Sequence, residues 1–131
     1  MEENKIEDHV KNHGTKVKFM VSYGGKIQQK LQNHQLSYVG GDTKILSVDY
    51  SIKFLDIVAK VNSLFNINTS QFQLKYQLPG EDLDALVTLI NDEDVENMMF
   101  EYYRAQLNST KPMKLRLFLF PYNRCEASNN G

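Results

Sequence analysis

The chain has 131 residues, is 41% hydrophobic and carries a formal net charge of −1, so it has room for one globular domain with a single core and lacks the overall basic excess that nucleic acid or an anionic membrane calls for. The opening Met1-Glu2-Glu3-Asn4-Lys5-Ile6-Glu7-Asp8 alternates charges without the apolar run of a secretory signal, and the longest apolar stretch, 115–120, is interrupted by Arg116 and too short to span a bilayer. The single cysteine, Cys125, rules out an internal disulfide and a multi-thiolate zinc site, and the expected compartment is the cytosol or nucleus.

Residues 1–15 are polar and read as a disordered tail. In 17–23, Val17, Phe19, Val21 and Tyr23 alternate with Lys18, Met20 and Ser22, the period of a strand with one buried face, so Lys18 points away from the core. Gly24-Gly25 suits a tight turn, and a second pair, Gly40-Gly41, precedes another predicted strand at 43–48. Between the pairs the chain reads as a loop with room for a short strand at 36–39. Ser51 is a candidate cap for a helix whose apolar stripe is Phe54, Val58, Val61 and Phe65, reinforced by Leu55 and Leu64. Phe72, Leu74 and Tyr76 alternate as a strand until Leu78-Pro79-Gly80 breaks it, and 86–90 is a further β-rich run.

Asn91 is a good cap for a second helix, with Val95, Met98, Met99 and Tyr102 on one face. Leu115, Leu117 and Leu119 alternate with Arg116, Phe118 and Phe120 in a nearly unbroken apolar run, as in a central strand, and Pro121 ends it. Residues 122–131 read as a second disordered tail. This order predicts an α+β domain of the ubiquitin-like β-grasp kind, a mixed sheet of about five strands covered on one face by two helices.

Charge is segregated along the chain. Residues 81–101 hold Glu81, Asp82, Asp84, Asp92, Glu93, Asp94, Glu96 and Glu101 with no Lys or Arg, which is half of the sixteen carboxylates. Residues 11–60 are rich in lysine instead. Asp92, Glu93 and Asp94 in a first helical turn would favour the helix dipole by about 0.3 to 1 kcal/mol each, but Glu81, Asp82 and Asp84 precede a strand and gain nothing from its small dipole, which leaves an ordinary solvated loop or a binding feature as their reading. Asp82, Asp84 and Glu93 fall at positions one, three and twelve of a calcium loop, yet Leu86 and Val87 occupy the positions that need an oxygen ligand and a glycine. Neither metal nor cofactor is therefore expected. Paired carboxylates can also act as acid and base on a sugar, but so small a domain offers little pocket for one. His9, His13 and His34 lie in polar segments, and no nucleotide loop or nucleophile–base pair appears, so an enzyme is not expected.

Several segments together resemble the plant version of the Phox/Bem (octicosapeptide) domain. They are Lys16-Val17-Lys18-Phe19-Met20 with Tyr23-Gly24-Gly25-Lys26-Ile27, Tyr38-Val39-Gly40-Gly41-Asp42-Thr43-Lys44, Lys75-Tyr76-Gln77-Leu78-Pro79-Gly80-Glu81-Asp82-Leu83-Asp84-Ala85-Leu86, Asn91-Asp92-Glu93-Asp94-Val95 and Leu115-Arg116-Leu117-Phe118-Leu119-Phe120-Pro121. The resemblance spans about 16–121, which is taken as the domain. It implies a protein-interaction module in which an acidic motif docks front to back on a lysine patch of another Phox/Bem-type domain, as adaptor, scaffold or oligomer cap. By that resemblance Glu81, Asp82, Asp84, Asp92, Glu93 and Asp94 form the acidic face, and Lys18, assisted by Lys44, forms the basic face. Partners would be other such domains or further copies of this one, with no nucleic acid, membrane or small-molecule substrate. Gly80 stands where the wider family often has an acid, Leu83 where it often has glycine, and 28–35 lacks the proline-rich loop of the plant subgroup. A ubiquitin-like modifier is the alternative within the fold, although Asn129-Asn130-Gly131 lacks the diglycine of that class, and an acidic metal-binding domain is the remoter alternative.

Overall fold

The computed structural model describes residues 15–68 and 71–122. The two tails expected at 1–15 and 122–131 lie, but for Thr15 and Tyr122, outside the described residues, as do His9, His13 and Cys125. Strands β1 (Lys16–Tyr23), β4 (Asp42–Asp49), β5 (Phe72–Gln77), β6 (Val87–Leu89) and β7 (Leu115–Pro121) form one sheet in the order β4-β1-β7-β5-β6. β1 and β7 run parallel and every other neighbouring pair is antiparallel, the mixed sheet that the element order predicted.

Helices α1 (Phe54–Phe65) and α2 (Asp92–Leu107) cover one face. The core beneath them takes Val17, Phe19 and Val21 from β1, Leu115, Leu117 and Leu119 from β7, Ile57 and Val61 from α1, and Val95, Met98 and Met99 from α2. Tyr23 joins its margin, 5.3 Å from both the Phe65 and the Phe72 ring. Full burial of such side chains is worth about 1.5–3 kcal/mol each, which is why strand alternation and the α2 stripe were legible. Leu55, read as part of the α1 stripe, is 74% exposed, and Ile57 is the buried residue beside it.

The stretch read as a loop between the glycine pairs is a hairpin, β2 (Lys26–Gln29) and β3 (Leu36–Val39), separate from the main sheet. It covers part of the sheet's second face. Tyr38 packs on Phe118 and Phe120 with ring centroids 5.1 and 6.4 Å apart, and its hydroxyl accepts a 2.8 Å bond from the Gly25 amide. Phe118 is thereby fully buried on the face away from the helices, which accounts for the unbroken apolar run of β7. The hairpin can leave and rejoin β1 and β4 only because the glycine pairs touch: a Cβ on Gly25 would meet the Gly40 and Val39 carbonyl oxygens at 2.5 Å. Gly41, at φ +72°, would likewise drive a side chain into backbone.

Ser51 does not cap α1. The residue before the helix is Lys53, which is extended and offers no side-chain cap; the cap comes from Asp92, far along the chain.

Candidate interaction surface

The acidic segment folds as two pieces. After β5 a turn brings Leu78 O to Glu81 N at 3.0 Å, with Gly80 at φ +85°, and Gln77 Nε2 donates to Glu81 O at 2.8 Å. A single 3-10 turn at Leu83–Ala85 follows, closed by Ala85 N donating to Asp82 O at 3.1 Å. Leu83 is buried and anchors this turn, so Glu81, Asp82 and Asp84 on either side are left exposed. None of their carboxylates makes a hydrogen bond or ion pair among the described residues.

The second piece is the start of α2. Asn91 Oδ1 accepts from Asp94 N at 2.9 Å, and Asp94 Oδ2 accepts from Ile90 N at 2.8 Å, a reciprocal cap on the helix N-terminus. Asp92 Oδ1 accepts from Phe54 N at 2.7 Å and so satisfies an open amide of α1. Glu93 is exposed and unbonded. The six acids nominated from sequence thus divide into four free carboxylates and two wired to backbone. Their field reaches the core margin: the Tyr76 hydroxyl is pushed up from its ordinary pKa, first by burial and then by the negative charges of Asp94 and Glu101.

The lysines divide differently. Strand register puts Lys18 beside Ser47, on the face with Lys16, Met20, Ile45 and Asp49. There Lys16 Nζ pairs with Asp49 Oδ1 at 3.0 Å, an exposed contact worth at most about 1 kcal/mol. Lys18 is exposed and makes no ion pair among the described residues. Lys44 lies opposite Val21, and therefore on the helix face. Its Nζ donates to Leu64 O at 3.1 Å and sits 5.3 Å from the Phe65 ring centroid. The last turn of α1 has no basic residue of its own, so Lys44 supplies the cation that its dipole favours. Lys18 and Lys44 share a sheet margin but point to opposite sides of it.

β7 separates β1, with Lys18, from β5, after which the acidic turn begins. Two interstrand steps amount to about 10 Å, close to the roughly 8 Å over which physiological salt screens exposed charges. The Lys16–Asp49 pair and the exposed Ile45 beside Lys18 were not legible in the sequence, since both depend on the register of β1 with β4. Among the described residues no three His, Cys, Asp or Glu side chains gather as a metal cradle, and no helix is long and apolar enough to cross a membrane.

A family model described as the PB1 domain matches residues 31–122, well over half of the chain. The chain belongs to the PB1 domain family. PB1 domains are protein-interaction modules of ubiquitin-like α+β fold. The chain is also 36% identical over 119 residues to Protein PAL OF QUIRKY of Arabidopsis thaliana, a match covering 88% of this chain and 25% of that protein. It therefore spans about a quarter of that relative's length. The PB1 match begins after β2, but the match to the relative is too long to leave out Lys18.

Proposed function

We propose that this PB1 domain, taken as 16–121, docks front to back with other PB1 domains, offering its acidic turn to one neighbour and Lys18 to the next. The observation that carries the reading is the set of exposed carboxylates at Glu81, Asp82, Asp84 and Glu93, unbonded among the described residues, with Lys18 equally unpaired there and a strand between them. Asp92 and Asp94 add charge to the same front while holding its shape. Lys44 strengthens the positive field of the β4 margin from the helix side. Its contact with a partner requires that the partner reach around the edge.

One exposed lysine–carboxylate pair contributes about 0–1 kcal/mol, too little for a complex. Several carboxylates closing on one partly desolvated lysine couple by about 1.5 kcal/mol or more each and steer the encounter. The contact is heterologous, so a domain with both faces builds open chains, and one with a single competent face caps them. The role is adaptor or scaffold in the cytosol or nucleus rather than catalysis, with protein partners in place of nucleic acid, membrane or small substrates.

The test mixes two variants of the chain, Lys18→Ala and the double variant Asp82→Ala, Asp84→Ala. Each keeps one face, so each alone should be monomeric while the mixture forms a one-to-one pair, read by calorimetry and light scattering at low salt. A mixture that stays monomeric while the unaltered chain associates would sink the reading.

A further inference from the structure

The outer edge of β4 is a second place where the molecule has unmet bonding capacity. β4 is eight residues long and stands at the end of the sheet order, paired among the described residues on one side, to β1. Among the described residues its one backbone bond outside that ladder runs from Ile52 N to Asp49 O, at the strand's end. Along an antiparallel strand every second residue points its N–H and C=O outward, so the run before Asp49 offers a row of open donors and acceptors.

Beside this edge lies a hollow of about 450 Å³ between β4 and α1, lined by Leu46, Ala59, Lys60, Ser63 and Leu64. Leu46 and Leu64 are half-buried and form an aliphatic floor, while Ala59 is too small to fill the helix side of it. The lining includes one cation and no carboxylate, and Lys44 adds a second cation at the Leu64 end. The neighbouring hollow past Lys60 does contain Asp49 and Asp56, and Asp49 is already engaged by Lys16.

We propose that β4 and this hollow receive an extended peptide segment, which adds as a strand to the open edge. Its alternate aliphatic side chains enter between Leu46 and Leu64, and its acidic flank meets Lys44 and Lys60. Backbone pairing gives such a contact its affinity and the hollow its side-chain selectivity. The two lysines choose the occupant. A second β4 edge would bring Lys44 and Lys60 of two copies together, whereas carboxylates are attracted to both. The surface shares Lys44 and the β4 margin with the proposed basic face but not Lys18, which faces the other side of the sheet.

The experiment titrates the full chain into a fluorescein-labelled peptide of alternating valine and isoleucine followed by three aspartates. Anisotropy and amide hydrogen exchange are the readouts. Saturable binding with slowed exchange confined to β4 amides is expected. Ala59→Phe, which fills the hollow, and Lys60→Glu, which reverses its charge, should each weaken binding by about tenfold or more. Both positions are exposed, so folding is checked by thermal melting alone. N-methylation of alternate peptide amides should abolish binding, and Lys18→Ala should leave it unchanged. No saturable binding, unmoved β4 amides, equal binding by the N-methylated peptide, or insensitivity to both hollow variants would overturn the proposal. So would concentration-dependent pairing of the chain through β4 itself.

Discussion

The two halves of the acidic segment show how one residue type comes to do two jobs. Asp92 and Asp94 spend carboxylate oxygens on backbone amides, of Phe54 and Ile90, and so belong to the fold as much as to the surface. Glu81, Asp82 and Asp84 flank a turn held by backbone bonds and by the buried Leu83, so their side chains are left free. In the proposed docking mode, unbonded charge on such a fixed platform would lower the ordering cost of association. The contrast also separates what a mutation does to folding from what it does to binding.

The largest expected effect is on association. Asp82→Ala with Asp84→Ala should remove at least two couplings of about 1.5 kcal/mol each, a loss of about a hundredfold or more in front-to-back affinity. The melting temperature should stay within error, because neither carboxylate has a partner among the described residues. A large drop in melting temperature would break the distinction between the two halves.

Second in size is the effect of Asn91→Ala, which deletes the side-chain cap on α2 and should cost about 0.5–2 kcal/mol of stability. Chemical denaturation checks it. Asp92 sharpens the comparison because it sits in both groups. Asp92→Ala should cost about 1 kcal/mol by orphaning the Phe54 amide. Asp92→Asn keeps an acceptor there and should recover most of that stability while still weakening association by severalfold. If the asparagine variant were as unstable as the alanine one, charge rather than the bond to Phe54 would be holding α1.

How much of this was legible follows from how local each feature is. Strand alternation in β1 and β7, the Asn91 cap and the stripe of α2 are set by neighbours within a few residues, and the sequence shows them directly. Asp92 reaching Phe54 joins residues far apart in the chain, and only the packing of α2 beside α1 brings them together. Ser51 accordingly looked like the cap. The hairpin was half visible: Leu36-Ser37-Tyr38-Val39 has strand character, but Lys26-Ile27-Gln28-Gln29 has too little apolar content to reveal its partner. The clue that something had to cover the second face lay elsewhere, in Phe118 and Phe120. The resemblance assigns Lys44 to assist Lys18 on one basic face, and the register of β1 against β4, which sends them to opposite faces, cannot be read from either strand alone.

The smallest effect expected is spectroscopic, and it uses Tyr76 as a sensor inside the fold. Its hydroxyl is raised by burial first and by Asp94 and Glu101 second, and neither Asp82 nor Asp84 contributes. Asp94→Asn should therefore move the Tyr76 ionisation down toward its ordinary value of about 10, whereas Asp82→Asn with Asp84→Asn should leave it in place. Phenolate absorbance of variants in which the other six tyrosines are phenylalanine isolates the signal. The sign for stability follows from the same shift. A tyrosine whose folded pKa lies above the unfolded one contributes stability that is intact below about pH 10 and is lost as pH climbs through the folded value. The wild-type domain should accordingly weaken in that alkaline window, and Asp94→Asn should reduce the share owed to Tyr76. Were Asp94→Asn and the paired Asp82→Asn, Asp84→Asn variant to shift Tyr76 equally, the turn after β5 and the start of α2 would be one electrostatic unit, and the division of labour between them would fail.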